Sequence, residues 1–372
     1  MNDKDAFCKY NHSFQIRRLK QIKIIRSKAR INNLKYLYNI KMSLEYQSIL
    51  VTGGAGFIGS NFVNYMVRKY PETKFINFDK LDYCARIANI DPDVTKSPNY
   101  MFVHGNLLDE YLILKILNVE KIDAVIHFAA QSHVDNSFGN SIDFTLNNVL
   151  GTHKLLEACR IYGQIKRFIH ISTDEVYGEI KTGESHEHSI LDPTNPYAAS
   201  KAAAEFIVKS YYHSFKLPII ITRGNNVYGP RQYPEKVIPR FITLLRSGKK
   251  CTIQGKGDNI RNFIYVDDTA RAIETVLIKG EISQIYNIGG TTEKTVLEIA
   301  KLLIDRLILS QDNGTNKTWE DFIEFIPDRK FNDMRYSVNA DKLLALDWKQ
   351  EVSFEDGFER TIQWYIDNPA HF

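Results

Sequence analysis

The chain has 372 residues, 44% hydrophobic and 25% charged, a globular composition without the run of 18 apolar residues that a membrane-spanning helix needs. Its four cysteines, Cys8, Cys84, Cys159 and Cys251, are far apart and form no Cys-x-x-Cys pair or zinc-like cluster, so reduced thiols in a cytoplasmic protein and no metal are expected. The net charge of +4 is uneven: residues 1–41 hold eleven Lys/Arg and two acids, net +9, and the rest carries −5, which does not indicate a nucleic-acid-binding body.

Residues 1–45 read as a basic N-terminal extension, poorly ordered. A transit peptide, a membrane-surface helix or a basic arm would share its composition. The favoured reading is a dispensable extension or an upstream start before Met42, because the first strand begins six residues later. A chain starting at Met42 should therefore fold and be active.

From Ser48 the pattern becomes strand, turn, helix. Ser48–Thr52 is an apolar strand, followed by a glycine turn and an amphipathic stretch over Ser60–Tyr70. Further strands are expected at Phe75–Phe78, Tyr100–His104, Ala124–Phe128, Phe168–Ile171 and Ile219–Thr222. Helices are expected at Leu112–Leu117, 141–162 (one long helix) and Asn195–Phe215. This alternation predicts an α/β fold, a Rossmann-like doubly wound parallel sheet with ligands at the strands' carboxyl ends. Residues 46–229 form the dinucleotide-binding domain in this reading, and about 260–289 return to it. Residues 230–259 and 290–372 form a smaller C-terminal substrate-binding lobe. Residues 310–318 read as a polar surface loop.

The turn Gly53-Gly-Ala-Gly56-Phe-Ile-Gly59 follows a strand and opens a helix, where glycines let backbone amides approach a pyrophosphate. Asp79 lies 20 residues beyond Gly59 at the end of the second strand. A carboxylate there binds the ribose hydroxyls of NAD and repels the 2′-phosphate of NADP. Lys80 argues mildly the other way, since it could meet a phosphate.

The fifth strand runs into Ser172-Thr173-Asp174-Glu175, and Tyr197 precedes Lys201 by four residues on one helical face. The ammonium is expected to lower the tyrosine's pKa, so that the phenolate takes a proton from a sugar hydroxyl whose carbon delivers hydride to NAD. Two adjacent carboxyl groups supply what a dehydration adds: a base for one carbon and an acid for a departing hydroxyl.

Gly53–Gly59, His127-Phe-Ala-Ala130, Ser172-Thr173, Tyr197/Lys201 and Asn226-Val-Tyr-Gly-Pro230 together resemble the extended short-chain dehydrogenase/reductase superfamily over about residues 46–370. Thr173-Asp-Glu-Val-Tyr-Gly178 resembles the signature of the nucleoside-diphosphoglucose 4,6-dehydratases. That resemblance implies conversion of UDP-glucose or dTDP-glucose to its 4-keto-6-deoxy form, with NAD tightly bound and recycled. Asp174 would be the acid at O6, Glu175 the base at C5 and Tyr197 the base of the oxidation, with Thr173 on the C4 oxygen. It places Gly53, Gly56, Phe57, Ile58, Gly59, Asp79, Lys80, Asn106, Leu107, Ala129, Ala130, Tyr197 and Lys201 at NAD. Asn106 replaces the usual aspartate against adenine, a role its carbonyl can still fill. Ser132, Thr173, Asn226, Lys236, Arg261, Asn287 and Arg329 fall on the substrate side, and His133 reads as a satisfied loop histidine.

Asn225-Asn-Val-Tyr-Gly-Pro230 and Asp328-Arg-Lys-Phe-Asn-Asp-Met-Arg-Tyr336 depart from the bacterial dTDP-glucose pattern, and Asn332 replaces a histidine. With Asp79–Cys84, Asp135–Asn140 and Gln164–His170, they resemble the UDP-glucose 4,6-dehydratase domain of plant-type rhamnose synthases. UDP-glucose is therefore preferred over dTDP-glucose. The resemblance also implies a homodimer and a separate downstream epimerase/reductase toward rhamnose. A sugar epimerase or decarboxylase, for which Tyr197 and Lys201 suffice, and a non-catalytic nucleotide-sugar or NAD-binding regulator are the rival readings.

Overall fold

Strand β1 (Ser48–Thr52) alternates its apolar side chains between two cores. Ile49 and Val51 face one side, and Leu50 faces the other. A strand buried on both faces has no polar side, which is why this run is continuously apolar. The computed structural model describes residues 43–311 and 316–372. The expectations for residues 1–41, and Cys8, lie outside the described residues.

The remaining strands of the large sheet are β2 (Lys74–Asp79), β3 (Tyr100–His104), β4 (Ala124–His127), β5 (Arg167–Thr173), β6 (Ile219–Gly224) and β10 (Ile285–Ile288). Their spatial order is β10-β6-β5-β4-β1-β2-β3, and every pairing is parallel. Helices α1 (Phe57–Lys69) and α6 (Val266–Lys279) cover one face through Phe62, Met66, Ile273 and Val276. Helices α2 (Glu110–Val119), α3 (Gly151–Tyr162) and α4 (Pro196–Phe215) cover the other through Ile116, Leu155 and Val208. The order reverses between β1 and β4. The loops leaving those two strands turn opposite ways and open a crevice at their carboxyl ends.

A third core joins β7 (Asn226–Tyr228), α5 (Val237–Arg246), β8 (Cys251–Gln254), β9 (Ile260–Tyr265), α7 (Val296–Leu307), β12 (Ile323–Ile326) and α8 (Phe354–Asp367), and β11 (Thr292–Thr295) pairs with β9. Their strands form two small sheets, β11-β9-β7 and β12-β8. Leu44–Phe372 is nevertheless one compact unit.

The expected single helix over 141–162 is interrupted. A π-helical stretch, Thr145–Leu150, separates Ser141–Phe144 from α3. Inside it Asn148 is fully buried. Its amide accepts from the Gln131 N–H and donates to the Gln131 carbonyl and the Ser200 hydroxyl. The wide turn gives this side chain its inward register. Of the polar loop expected over 310–318, residues 312–315 lie outside the described residues and 316–318 are exposed. No helix among the described residues is long and apolar enough to cross a membrane.

Candidate active site

The glycine turn sits where β1 meets α1. Gly53 has φ +72°, and a Cβ on it would stand 2.5 Å from the Ala129 nitrogen, so the β1 and β4 loops can approach this closely only with glycine there. A side chain at Gly59 would collide with the Gly53 carbonyl. The resulting cavity, about 230 Å³, is lined by Gly53, Gly56, Phe57, Ile58 and Gly59 along one wall. Asp79, Lys80, Asn106, Leu107, Ala129, Ala130 and Ser132 line it too, and Tyr197 and Lys201 close the end toward β5.

Asp79 is buried at the tip of β2. Its two oxygens accept from the Ala55 and Leu81 N–H groups at 3.0 and 2.8 Å. Burial nonetheless pushes its carboxyl above the usual aspartate range, as expected of a carboxylate that awaits hydroxyl donors. Lys80 is not a free phosphate ligand, because its ammonium is paired with Asp82 at 2.7 Å and donates to Asn147 at 2.8 Å. The Asn106 Oδ1 accepts from the Leu108 N–H. A turn of close-packed glycines, an acid at the second strand's tip and a long cleft between them fit a dinucleotide with free 2′- and 3′-hydroxyls.

Strand β5 ends at Thr173 and passes into a single tight turn, Asp174–Tyr177. That turn is anchored from behind. The Tyr177 hydroxyl donates to the Asn287 Oδ1 at 2.8 Å, and the Arg223 guanidinium lies 4.6 Å from the Tyr177 ring centre. Arg223 is itself held by the fully buried Glu205. The two carboxyl groups thus stand on a rigid support. Thr173 Oγ1 lies 3.2 Å from Asp174 Oδ1 and accepts from the Glu175 N–H. Burial, then the Glu175 charge, raises Asp174 to about 7. Burial also raises Glu175, while Lys236 and Arg261 hold it down.

Tyr197 and Lys201 share the inner face of α4, both buried. The expected lowering of Tyr197 is absent from this arrangement. Burial and the Glu175 charge push its phenol upward, and only the Thr173 hydroxyl offsets them. The reason is geometric, because the Lys201 ammonium donates to the Ile171 carbonyl at 2.7 Å. Burial lowers Lys201 itself to about 8.

Glu175 also faces a second cavity of about 200 Å³, lined by Asn226, Lys236, Arg261, Asn332 and Arg329. Lys236 lines both cavities and donates to the Ser132 carbonyl. Arg261 stacks 5.0 Å over the Tyr336 ring and donates to the Asp333 carbonyl and the Asn332 side chain. The Arg329 Nε is buried without a partner, and its nearest acid, Asp135, is 3.4 Å away. An orphaned guanidinium N–H in a pocket that also holds Lys236, Arg240 and Arg261 calls for an anion.

Two expectations are corrected. Asn287 lines neither cavity. It is fully buried, and both amide hydrogens go to the Ser185 and Asn339 carbonyls, so it supports Tyr177 instead of touching substrate. His133 is not a satisfied loop histidine. It lines the second cavity with its Nδ1 unpartnered, 3.9 Å from Glu235. The sequence reading missed Asn195 and Asn225, which hold Glu175 and Asp174. Asn195 carried a signal as the helix cap before Pro196, but its contact with Glu175 crosses between elements.

The GDP-mannose 4,6 dehydratase family matches residues 50–361. The chain is 49% identical over 326 residues to the trifunctional UDP-glucose 4,6-dehydratase/UDP-4-keto-6-deoxy-D-glucose 3,5-epimerase/UDP-4-keto-L-rhamnose-reductase of Arabidopsis thaliana. That match covers 87% of this chain and 48% of the plant protein, so the chain spans about half the length of that relative. It is 49% identical to the dTDP-D-glucose 4,6-dehydratase of Dictyostelium discoideum, covering 89% of this chain and 84% of the relative. Among solved structures, the dTDP-glucose 4,6-dehydratase of Streptomyces venezuelae, with NAD and TYD bound, superposes with a TM-score of 0.81 at 41% identity. That superposition covers 86% of this chain and 97% of the other. The chain belongs to this dehydratase family.

Proposed function

We propose, from that family membership, that the protein is an NAD-dependent nucleoside-diphosphoglucose 4,6-dehydratase that converts UDP-glucose to UDP-4-keto-6-deoxyglucose. The observation that carries this reading is the pair of adjacent carboxyl groups on one rigid turn facing Tyr197, Asp174 buried and Glu175 half-buried. A sugar epimerase has no use for them.

NAD, when bound, supplies the hydride acceptor at C4 and the donor at C6. Asp79 would take its ribose hydroxyls, the Gly53–Gly59 turn its pyrophosphate and Asn106 its adenine. Tyr197 takes the proton of the sugar's 4-hydroxyl. Burial and the Glu175 charge hold the phenol up in this arrangement, and the positive charge of the oxidised nicotinamide would oppose them. Glu175 removes the C5 proton once the 4-ketone has acidified it. Asp174 protonates the departing 6-hydroxyl, which leaves as water, and Glu175 returns its proton to C5. An acid held near 7 beside a carboxyl whose burial Lys236 and Arg261 oppose suits this division. Arg261, Arg329, Lys236 and Asn226 would bind the diphosphate and nucleotide, with Ser132 and Thr173 at the sugar.

The preference for UDP rests on Asn225–Pro230 and on Asn332, which faces the second cavity. The Dictyostelium relative favours dTDP-glucose as the second reading. Exposed apolar side chains near α3 and α4, Ile142 (68% exposed) and Phe206 (61%) among them, support a homodimer. The described cysteines are free thiols, which suits the cytoplasm. The keto sugar would then pass to a separate epimerase/reductase. Incubation with UDP-glucose and dTDP-glucose separately, with product mass as readout, tests the proposal. Loss of one water without added NADH is expected, and unchanged mass with either sugar would overturn it.

A further inference from the structure

Asn225 follows β6 and is buried against the carboxylate turn. Its Oδ1 accepts from the Gly290 N–H at 3.2 Å, and its Nδ2 donates to Asp174 Oδ2 at 2.6 Å. A side chain at Gly290 would collide with the Phe263 carbonyl, so glycine lets this N–H come so near. The backbone bond settles which end of the amide faces Asp174. Turning it over would set a donor against the Gly290 donor.

We propose that Asn225 is a positioning residue for Asp174, fixing which carboxyl oxygen carries the proton delivered to the departing hydroxyl. This rests on Asp174 being the acid of the proposed dehydration. An amide nitrogen only donates, so Oδ2 stays an acceptor. The proton of neutral Asp174 is confined to Oδ1, the oxygen beside Thr173 Oγ1. The proposed function puts Thr173 on the C4 oxygen of the sugar, and on that reading the proton faces the substrate and not the protein interior. Transfer breaks the Oδ1–H bond and the C6–O bond, forms water, and leaves a carboxylate that the same Asn225 N–H stabilises. The charged groups that act on Asp174 are Glu175, which raises it, and Arg261, which lowers it; Tyr197 feels its charge in turn. Glu175 is held by the same device in weaker form. Asn195 accepts from the Ala198 N–H and donates to Glu175 Oε2 at 3.3 Å.

The test is steady-state turnover of UDP-glucose (dTDP-glucose if that is the sugar consumed) by the holoenzyme across pH. Wild type is compared with Asn225→Ala, Asn225→Asp and, as a control on the underlying reading, Asp174→Asn. Asn225→Ala should lower kcat about tenfold with KM within about twofold, and move the alkaline limb to higher pH, since the lost N–H favoured the ionised carboxyl. Asn225→Asp keeps the shape and the Gly290 bond but puts an acceptor at Oδ2. The two carboxyls then share a proton, and kcat should fall further, roughly 100-fold. In both, reduced nicotinamide absorbance should accumulate during turnover, because elimination lags oxidation. An unmoved alkaline limb in Asn225→Ala overturns the proposal, and so does an isosteric aspartate no worse than alanine. If Asp174→Asn loses activity in either event, only the role of Asn225 falls. If Asp174→Asn turns over at the wild-type rate, the acid assignment itself falls.

Discussion

The two cavities meet at β5 but are built differently. The cofactor side draws on β1, β2 and β4 and their following loops, and its contacts are largely backbone: a glycine turn, a helix start and an acid capped by two N–H groups. The substrate side draws on segments spread from His133 to Tyr336, and its contacts are long side chains. Backbone geometry within one βα unit is dictated locally. A pocket of arginines exists only after distant segments have packed. On the proposed function, the first region holds its ligand through every turnover and the second exchanges one.

That contrast can be broken most sharply just beyond β5, on the wall of the second cavity. Glu175→Gln should lower kcat by roughly 10²–10⁴, while NAD content, measured on the purified protein, stays unchanged. Parallel loss of NAD would show that the two sides are not separable. Asp79→Asn should do the converse. Removing a charged acceptor should weaken NAD binding about 10- to 100-fold, with activity restored by added NAD. A variant that keeps its NAD through dialysis would remove Asp79 from the ribose site. Arg329→Ala should raise KM for the nucleotide sugar about tenfold and leave kcat nearly untouched, as loss of a ground-state anion contact does; a kcat defect would place it in the chemistry.

The smallest expected effect is in pH. Asp174 must be protonated to act, and it titrates around 7, so kcat should fall roughly fivefold between pH 7 and 8. The rise on the acid side belongs to Glu175, which must be ionised. A rate that keeps rising through pH 8 would contradict the assignment of acid and base.

Much of this was legible in the residues. The strand–glycine–helix unit, Asp79, and the pairing of Tyr197 with Lys201 follow from local sequence, because a turn, a strand tip and one helical face are set within a few residues. The interrupted helix at Thr145–Leu150 was not, since the π turn serves Asn148's bonds to Gln131 and Ser200. Asn287 misled for a related cause: an asparagine at a strand's end can bind a ligand or brace a neighbour, and only packing decides. His133 and Lys80 show the same limit in opposite directions, one left unpartnered at the second cavity and the other paired with Asp82.

By itself, then, the order of residues determined the parallel sheet and the dinucleotide turn, which are matters of residue type at short spacing, and offered Asp174, Glu175 and Tyr197 as the proposed acid and bases through a family resemblance. Only the tertiary structure decided their protonation and direction. Burial and neighbouring charge raise Asp174 to about 7, Lys201 turns to the Ile171 carbonyl, and Asn225 reaches Asp174 from beyond the end of β6. Those effects depend on distance and on exclusion of water, and neither is encoded until the chain has closed around the site.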